Sequence, residues 1–200
     1  THNLQLAPII NPQMLTFNFS PFPNIDTERM QLRRMTLADA NEIYTLRSDK
    51  KITEYLDRDP PKSIEEIYDW LTKVDAEIDE NRGISWGMYL KNESKLIGSI
   101  GLWRTVPEHH YAEIGYSLLN EYQRKGLMYE AMIASLKYGF NEMQLHRVEA
   151  NINPLNIPSR AILEKAGFVK EAHFVENYYY NGYYTDSAIY SLLSKNFKTN

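Results

Sequence analysis

"NEYQRKGLMYEAM", residues 120–132, carries one glycine, two adjacent cations and then an apolar rhythm of helical period. Gly126 falls where that helix has to start. The first N–H groups of a helix lack intrahelical acceptors, and the helix dipole makes that end positive. A bare backbone position beside them lets a ligand approach, and Arg124 and Lys125 add charge. The stretch reads either as an ordinary strand-to-helix turn or as a phosphate site. Two common phosphate motifs do not fit it. The chain has no Gly-x-Gly-x-x-Gly and no Gly-Lys-Ser/Thr.

The elements around it follow from periodicity. Met128, Ala131, Met132, Leu136 and Phe140 recur on one helical face. Upstream, "GISWGMYL" (83–90) and "KLIGSIGLWRT" (95–105) flank the turn "KNES", which makes a hairpin, and "YAEIGYSLL" (111–119) is a third strand. Downstream, "HRVEANI" (146–152) alternates as a strand. "NIPSRAILEKAGF" is a short helix with Asn156 as cap and Gly167 at its end. The chain closes on a long hairpin turning at Asn181-Gly182, a type I′ signal. Ahead of all this, "ERMQLRRM" (28–35) is a strand. Thr36 with Asp39 caps one helix, and Ser63 with Glu66 at the capping-box position starts another. Residues 1–27 hold four prolines and read as an extended N-terminal arm before a domain at 28–200. The order is β–α–α–β–β–β–α–β–α–β–β. Only the strands either side of the 125–141 helix are joined by a crossover, so only they should run parallel. The fold class is α+β, a mixed, mostly antiparallel sheet flanked by helices.

Composition narrows the function. The chain has 200 residues, 43% of them hydrophobic, which suits one domain with a full core. Its 22 Lys and Arg against 26 Asp and Glu give a net charge of −4, which weighs against a nucleic-acid partner. No apolar run approaches the ~20 residues that span a bilayer, and no signal peptide is visible, so neither a membrane nor secretion is expected. There is no cysteine, which excludes disulfides, a thiolate nucleophile and a cysteine-based zinc site and fits a cytoplasmic setting. His109, His110 and Glu113 do not converge as metal ligands, since His110 and Glu113 face opposite sides of a strand; no metal is expected.

The pattern Gln123-x-x-Gly126-x-Met128 resembles the pyrophosphate loop of the GCN5-related N-acetyltransferase (GNAT) superfamily, Gln/Arg-x-x-Gly-x-Gly/Ala. Further segments agree in order: "TERMQLRRMTLADA", "KLIGSIGL", "AEIGYSLLNEYQRKGLMYEA", "HRVEANINPLNIPSRAILEKAGF" and "NGYYTDSAIYSLL". Together they resemble the RimJ/RimL-like branch over roughly residues 27–194. The resemblance implies a GNAT-like sheet in which one parallel strand pair splays to form the acyl-CoA cleft. It implies acetyl-CoA as cosubstrate, bound by Gln123, Arg124, Lys125, Gly126, Met128 and Tyr129 at the diphosphate. The backbone of Ser117, Leu118 and Leu119 and the side chain of Asn156 would hold the pantetheine arm. The sequence departs from the family at two places. Met128 stands where Gly or Ala is usual, and Leu163 stands where many relatives carry a tyrosine acid; Ser159 matches the serine that this branch uses instead.

Acetyl transfer needs a neutral amine, a donor to the oxyanion and a proton for the departing thiolate. With no cysteine, direct transfer to the amine of a small molecule or protein N-terminus is expected. Glu113 is the candidate base, through water, and Ser159 the candidate acid. A solvated strand carboxylate and a first-turn hydroxyl are their plainer readings, as an N-cap is for Asn156. Glu176 and Tyr178 on the closing hairpin share a strand face and are rival acid–base groups. The outward tyrosines there leave a substrate wall or a homodimer contact open. The competing class is an acyl-CoA-binding regulatory module with the same fold and little turnover, kept open by Met128 and Leu163. Acceptor choice would be written in the early helices and the last hairpin.

Overall fold

Among the described residues eight strands build one sheet, with period-two burial clearest along β2 and β5, and helices cover its two faces. The protein is described by a computed structural model over residues 14–198; residues 1–13 of the expected arm lie outside the described residues. The strands are β1 (Ile25–Asp26), β2 (Met30–Arg33), β3 (Ile84–Leu90), β4 (Leu96–Val106), β5 (Tyr111–Leu118), β6 (Arg147–Ile152), β7 (Val169–Tyr180) and β8 (Tyr183–Leu193). The helices are α1 (Ala40–Ser48), α2 (Lys50–Thr53), α3 (Ile64–Asp79), α4 (Leu127–Asn141) and α5 (Ile157–Lys165). Sheet order is β1-β2-β3-β4-β5-β6-β8-β7, and every neighbouring pair is antiparallel except β5–β6. The mixed α+β sheet and its one parallel pair agree with the sequence reading.

One face is covered by α4 and α5. Trp86, Ile100, Leu102, Ala112, Ile114 and Val148 meet Ala131, Met132, Leu136 and Leu163 there. Burying each large apolar side chain contributes roughly 1.5–3 kcal/mol. The opposite face is covered by α1 and α3, where Ile43, Leu46, Ile67 and Leu71 meet Tyr89, Leu96 and Leu119. Alternation along β5 sends Ala112, Ile114, Tyr116 and Leu118 to the α4/α5 face and Glu113, Gly115 and Ser117 to the other.

Three local readings change. Ser63 precedes α3 as its N-cap but its side chain makes no capping bond, and Glu66 instead accepts from the Lys62 amide, so the expected capping box is not formed. β7 bulges between Phe174 and Tyr178, and Glu176 takes a φ of 49°. Simple alternation therefore does not fix where Glu176 points. Residues 14–27 are not a free arm: Phe17 and Phe19 are buried, the Phe19 amide donates to Asn81 Oδ1, and Trp86 Nε1 donates to the Pro23 carbonyl.

Candidate active site

β5 and β6 pair only at Tyr111–Arg147, Ala112–Val148 and Glu113–Glu149. Beyond that point β5 keeps β4 as its partner through Leu118, while β6 follows β8 as far as Ile152. The two strands separate and leave a slot through the sheet. One side of β5 from Ile114 to Leu118 has no neighbouring strand, so its polar backbone groups are available to an extended ligand.

The turn that decided the sequence reading lies beyond the open end of β5. Arg124 (φ 60°) and Gly126 (φ 76°) are left-handed, and Gly126 is the N-cap of α4 with no side chain to cap it. The amides of Gly126, Leu127, Met128 and Tyr129 donate to no acceptor among the described residues; the first bond of the helix runs from Glu130 N to Gly126 O. A Cβ added at Gly126 would meet only the Arg29 guanidinium, at 3.4 Å, so the backbone there is open. Four unpartnered amides at the positive end of a 15-residue helix fit a diphosphate. Met128 does not crowd them. Its side chain is 9% exposed and joins the core under α4. Gln123, though exposed, donates through Nε2 to the Leu118 carbonyl at 3.1 Å, stapling the turn to the end of β5.

A residue from the other end of the domain holds this turn. Arg29 donates through Nη1 to the Lys125 carbonyl at 2.8 Å and pairs through Nε with Glu130 at 2.7 Å, while its amide donates to Glu130 Oε1. Burial opposes ionisation of Glu130, but its hydrogen bonds and the Arg29 charge win and hold it below the usual carboxylate range. Lys165 Nζ lies 4.3 Å from the ring centre of Tyr129, bringing a second cation from α5. Arg29 is 96 residues from Lys125 and nothing in its local sequence announces the contact.

Across the slot, Asn156 Oδ1 accepts from the Ser159 amide at 3.1 Å and so caps α5, leaving its Nδ2 for a ligand. Ser159 is 8% exposed and its Oγ lies 2.7 Å from Tyr116 Oη. Burial pushes the Tyr116 phenol up to about 12, with the Ser159 bond pulling weakly the other way. Tyr116 escaped the sequence reading because a tyrosine on the apolar face of a strand looks like core. Leu163, at the position of the absent tyrosine, is wholly buried. Ser117 adds a buried Oγ with no partner on the opposite face of β5.

Glu113 faces away from Ser159, through the sheet. Its carboxylate, 18% exposed, pairs with Arg104 Nη1 at 3.0 Å. Glu149 lies beside it in register, held by Arg147 Nε at 2.7 Å. The Trp103 indole covers Gly115 on this side. The carboxylates thus mark the vertex of the slot on the α1/α3 face, and the hydroxyl pair lines it on the α4/α5 face. Among the described residues no group of three or more His, Asp or Glu side chains is placed to hold a metal ion. None of the described helices is long and apolar enough to cross a membrane.

A splayed parallel pair, an uncapped glycine turn on a long helix and a buried hydroxyl beside the gap define an acyl-CoA-dependent transferase. Comparison with known proteins identifies which. The family model of the acetyltransferase (GNAT) domain matches residues 29–169. The chain belongs to the GNAT family, in its RimJ/RimL-like branch, and is an N-acetyltransferase with acetyl-CoA as the expected cosubstrate. It is 34% identical over 172 residues to the uncharacterized N-acetyltransferase YoaA of Bacillus subtilis, covering 86% of this chain and 97% of that one. Among solved structures, it is similar to a ribosomal-protein-S5-alanine acetyltransferase from Vibrio fischeri, with a TM-score of 0.77, 27% identity and coverage of 88% and 100%. It is also similar to a spermidine N-acetyltransferase from Vibrio cholerae in complex with CoA and spermine, with a TM-score of 0.75, 26% identity and coverage of 84% and 96%.

Proposed function

We propose that this enzyme moves the acetyl group of acetyl-CoA directly to the amine of a small molecule or a protein N-terminus, with no acyl-enzyme stage. The observation that carries the reading is the slot between β5 and β6, with unpartnered amides at one end and different chemistry on its two faces. Acetyl-CoA supplies the activated thioester. The amides of Gly126 to Tyr129 hold its diphosphate, and the free side of β5 at Ser117 and Leu118 aligns the arm that reaches the gap. Glu113, on the far face, receives the proton of the incoming ammonium through water. The amine nitrogen then bonds to the acetyl carbonyl carbon as the C–S bond breaks. A backbone N–H of β5 is the donor to the carbonyl oxygen. As the tetrahedral adduct collapses the nitrogen sheds its second proton to solvent, Ser159 gives its proton to the departing sulfur, and Tyr116 passes one on to Ser159 and regains its own from solvent, so both hydroxyls end as they began. Donor and acceptor thus enter from opposite faces, which keeps the ammonium and the thiolate apart until the acetyl group sits between them.

The relatives differ in acceptor by name, a ribosomal protein alanine in one and spermidine in another, so the branch alone does not select one. A CoA-release screen over peptide and small-molecule amines tests the reading. Acetylated product with release of one CoA per amine supports it. CoA binding with no turnover across the panel contradicts it.

A further inference from the structure

The segment between α1 and α3 spans the mouth of the slot on the Glu113 face. At one end Asp49 caps α2, accepting from the Lys51 and Ile52 amides, and bonds Asn120 just past the end of β5. At the other end the loop is tied to the tip of the β7–β8 hairpin. Thr185 Oγ1 donates to Asp57 Oδ2 at 3.1 Å, and Tyr180 Oη donates to Asp59 Oδ1 at 3.0 Å. These are the regions in which the sequence analysis expects acceptor choice to lie.

Besides the exposed Lys50, Lys51 and Lys62, two arginines flank and enter that span, Arg47 at the end of α1 and Arg58 in the loop. The Arg47 guanidinium stacks 4.6 Å from the Trp70 ring centre. Both arginines are partly buried, and neither forms an ion pair or a side-chain hydrogen bond with any described residue. Arg58 Nε is shut off from solvent with no acceptor. The neighbouring carboxylates are engaged elsewhere: Asp49 as a cap, Asp57 with Thr185, Asp59 with Tyr180. Placing a cation out of water is unfavourable unless an anion offsets it, and two together is worse. Burial, and then the field of Arg58, brings Arg47 down to about 10, and burial lowers Arg58 as well. Among the described residues no group pairs with either guanidinium to supply the missing charge.

We infer that Arg47 and Arg58 form an anion subsite for the acceptor, so that the amine acetylated by this enzyme carries a carboxylate or similar oxyanion near its nitrogen. The inference rests on the acetyl-transfer reading of the slot. It disfavours polyamines, whose extra ammonium groups would meet two uncompensated cations. A planar guanidinium locked on an indole is suited to a bidentate carboxylate contact, which a flexible lysine would not match.

CoA-release rates with matched acceptors test it: the C-terminally amidated peptides Ser-Asp-Ala and Ser-Asn-Ala, the free amino acid β-alanine and its amide, and spermidine. The acidic member of each matched pair should exceed the neutral one in kcat/KM by about 10- to 100-fold, the range of charge-assisted hydrogen bonds. Preference in the peptides alone marks a protein N-terminus as the source of the anion; preference in the free amino acid pair as well marks a small acceptor. Arg58→Met should collapse the ratio, with the loss falling on the acidic member, and Arg58→Lys should retain part of it. Arg58→Met should not lower Tm, because an unpaired buried cation is being removed; a structural arginine would show the opposite. Turnover of neutral amines or spermidine with no acidic preference overturns the subsite and leaves acetyl transfer standing. If no amine is acetylated, calorimetry with succinate decides. Binding that is lost in Arg58→Met upholds the subsite although the transfer reading has failed, and absence of binding to the wild type overturns it.

Discussion

Replacing Ser159 by alanine removes the one hydroxyl that the structure holds between Tyr116 and the gap, at 2.7 Å from the phenol oxygen. A general acid of this kind is worth ~10²–10⁴-fold. A thiolate is already a fair leaving group, with a reference thiol pKa near 8.5, so the lower end applies, about 10²-fold in kcat. Acetyl-CoA affinity should barely change, because the proton moves only as the C–S bond breaks. Tyr116→Phe deletes one hydrogen bond worth about 0.5–1.5 kcal/mol, so kcat should fall roughly 2- to 13-fold. The double variant should be no slower than Ser159→Ala, since Tyr116 acts only through Ser159. With the phenol at about 12, Tyr116 stays protonated through neutral pH and donates throughout. It should therefore produce no falling limb in the kcat profile below about pH 10. Stopped-flow or coupled CoA release at saturating acceptor supplies the rates. Unchanged kcat in Ser159→Ala would return that residue to the helix start alone, and independent, additive losses would refute the relay.

Three further outcomes are expected. Arg29→Ala should raise the KM for acetyl-CoA about three- to tenfold with little change in kcat, as the turn at 124–126 loses its tie; steady-state kinetics would show this, and because the Arg29 side chain is 44% exposed and Glu130 keeps the residue-29 amide as a donor, Tm should hardly move. Glu113→Gln should lower kcat/KM at neutral pH by ~10²-fold or more, and the deficit should shrink as pH approaches the amine's own pKa, where the acceptor is already neutral. A loss independent of pH would mean that Glu113 only holds Arg104 or the substrate. Phe19→Ala should destabilise the domain by about 3–5 kcal/mol, read by denaturant melts, because the ring is buried; a negligible change would detach residues 14–27 from the folding unit.

Periodic segments were readable because their burial is one-sided. The α4 stripe from Met128 to Phe140, the alternation of β5 and the Asn181-Gly182 turn, with φ of 50° and 92°, each repeat a local rule over enough residues to be unambiguous. Gly126 was readable as a bare backbone position where the helix starts; its left-handed φ of 76° came only with the structure. Phe17 and Phe19 were not, because two apolar residues between prolines carry no period and their site is made by Trp86 and Asn81 far along the chain. Arg29, Tyr116, Arg47 and Arg58 share that difficulty. Each matters through a partner, or the lack of one, that only the folded chain defines. The faces of Glu113 and Ala112 followed from alternation, but the separation of Glu113 from Ser159 by the sheet itself required the topology.

Calorimetric titration of acetyl-CoA into the wild type and Gly126→Glu tests the central claim most directly. The added carboxylate would lie among the Gly126 to Tyr129 amides, where a diphosphate has to sit, and it would strain a backbone at φ 76°. The account predicts measurable binding in the wild type and none in the variant, with Ser159→Ala binding as the wild type does. Equal acetyl-CoA affinity in wild type and Gly126→Glu would contradict it.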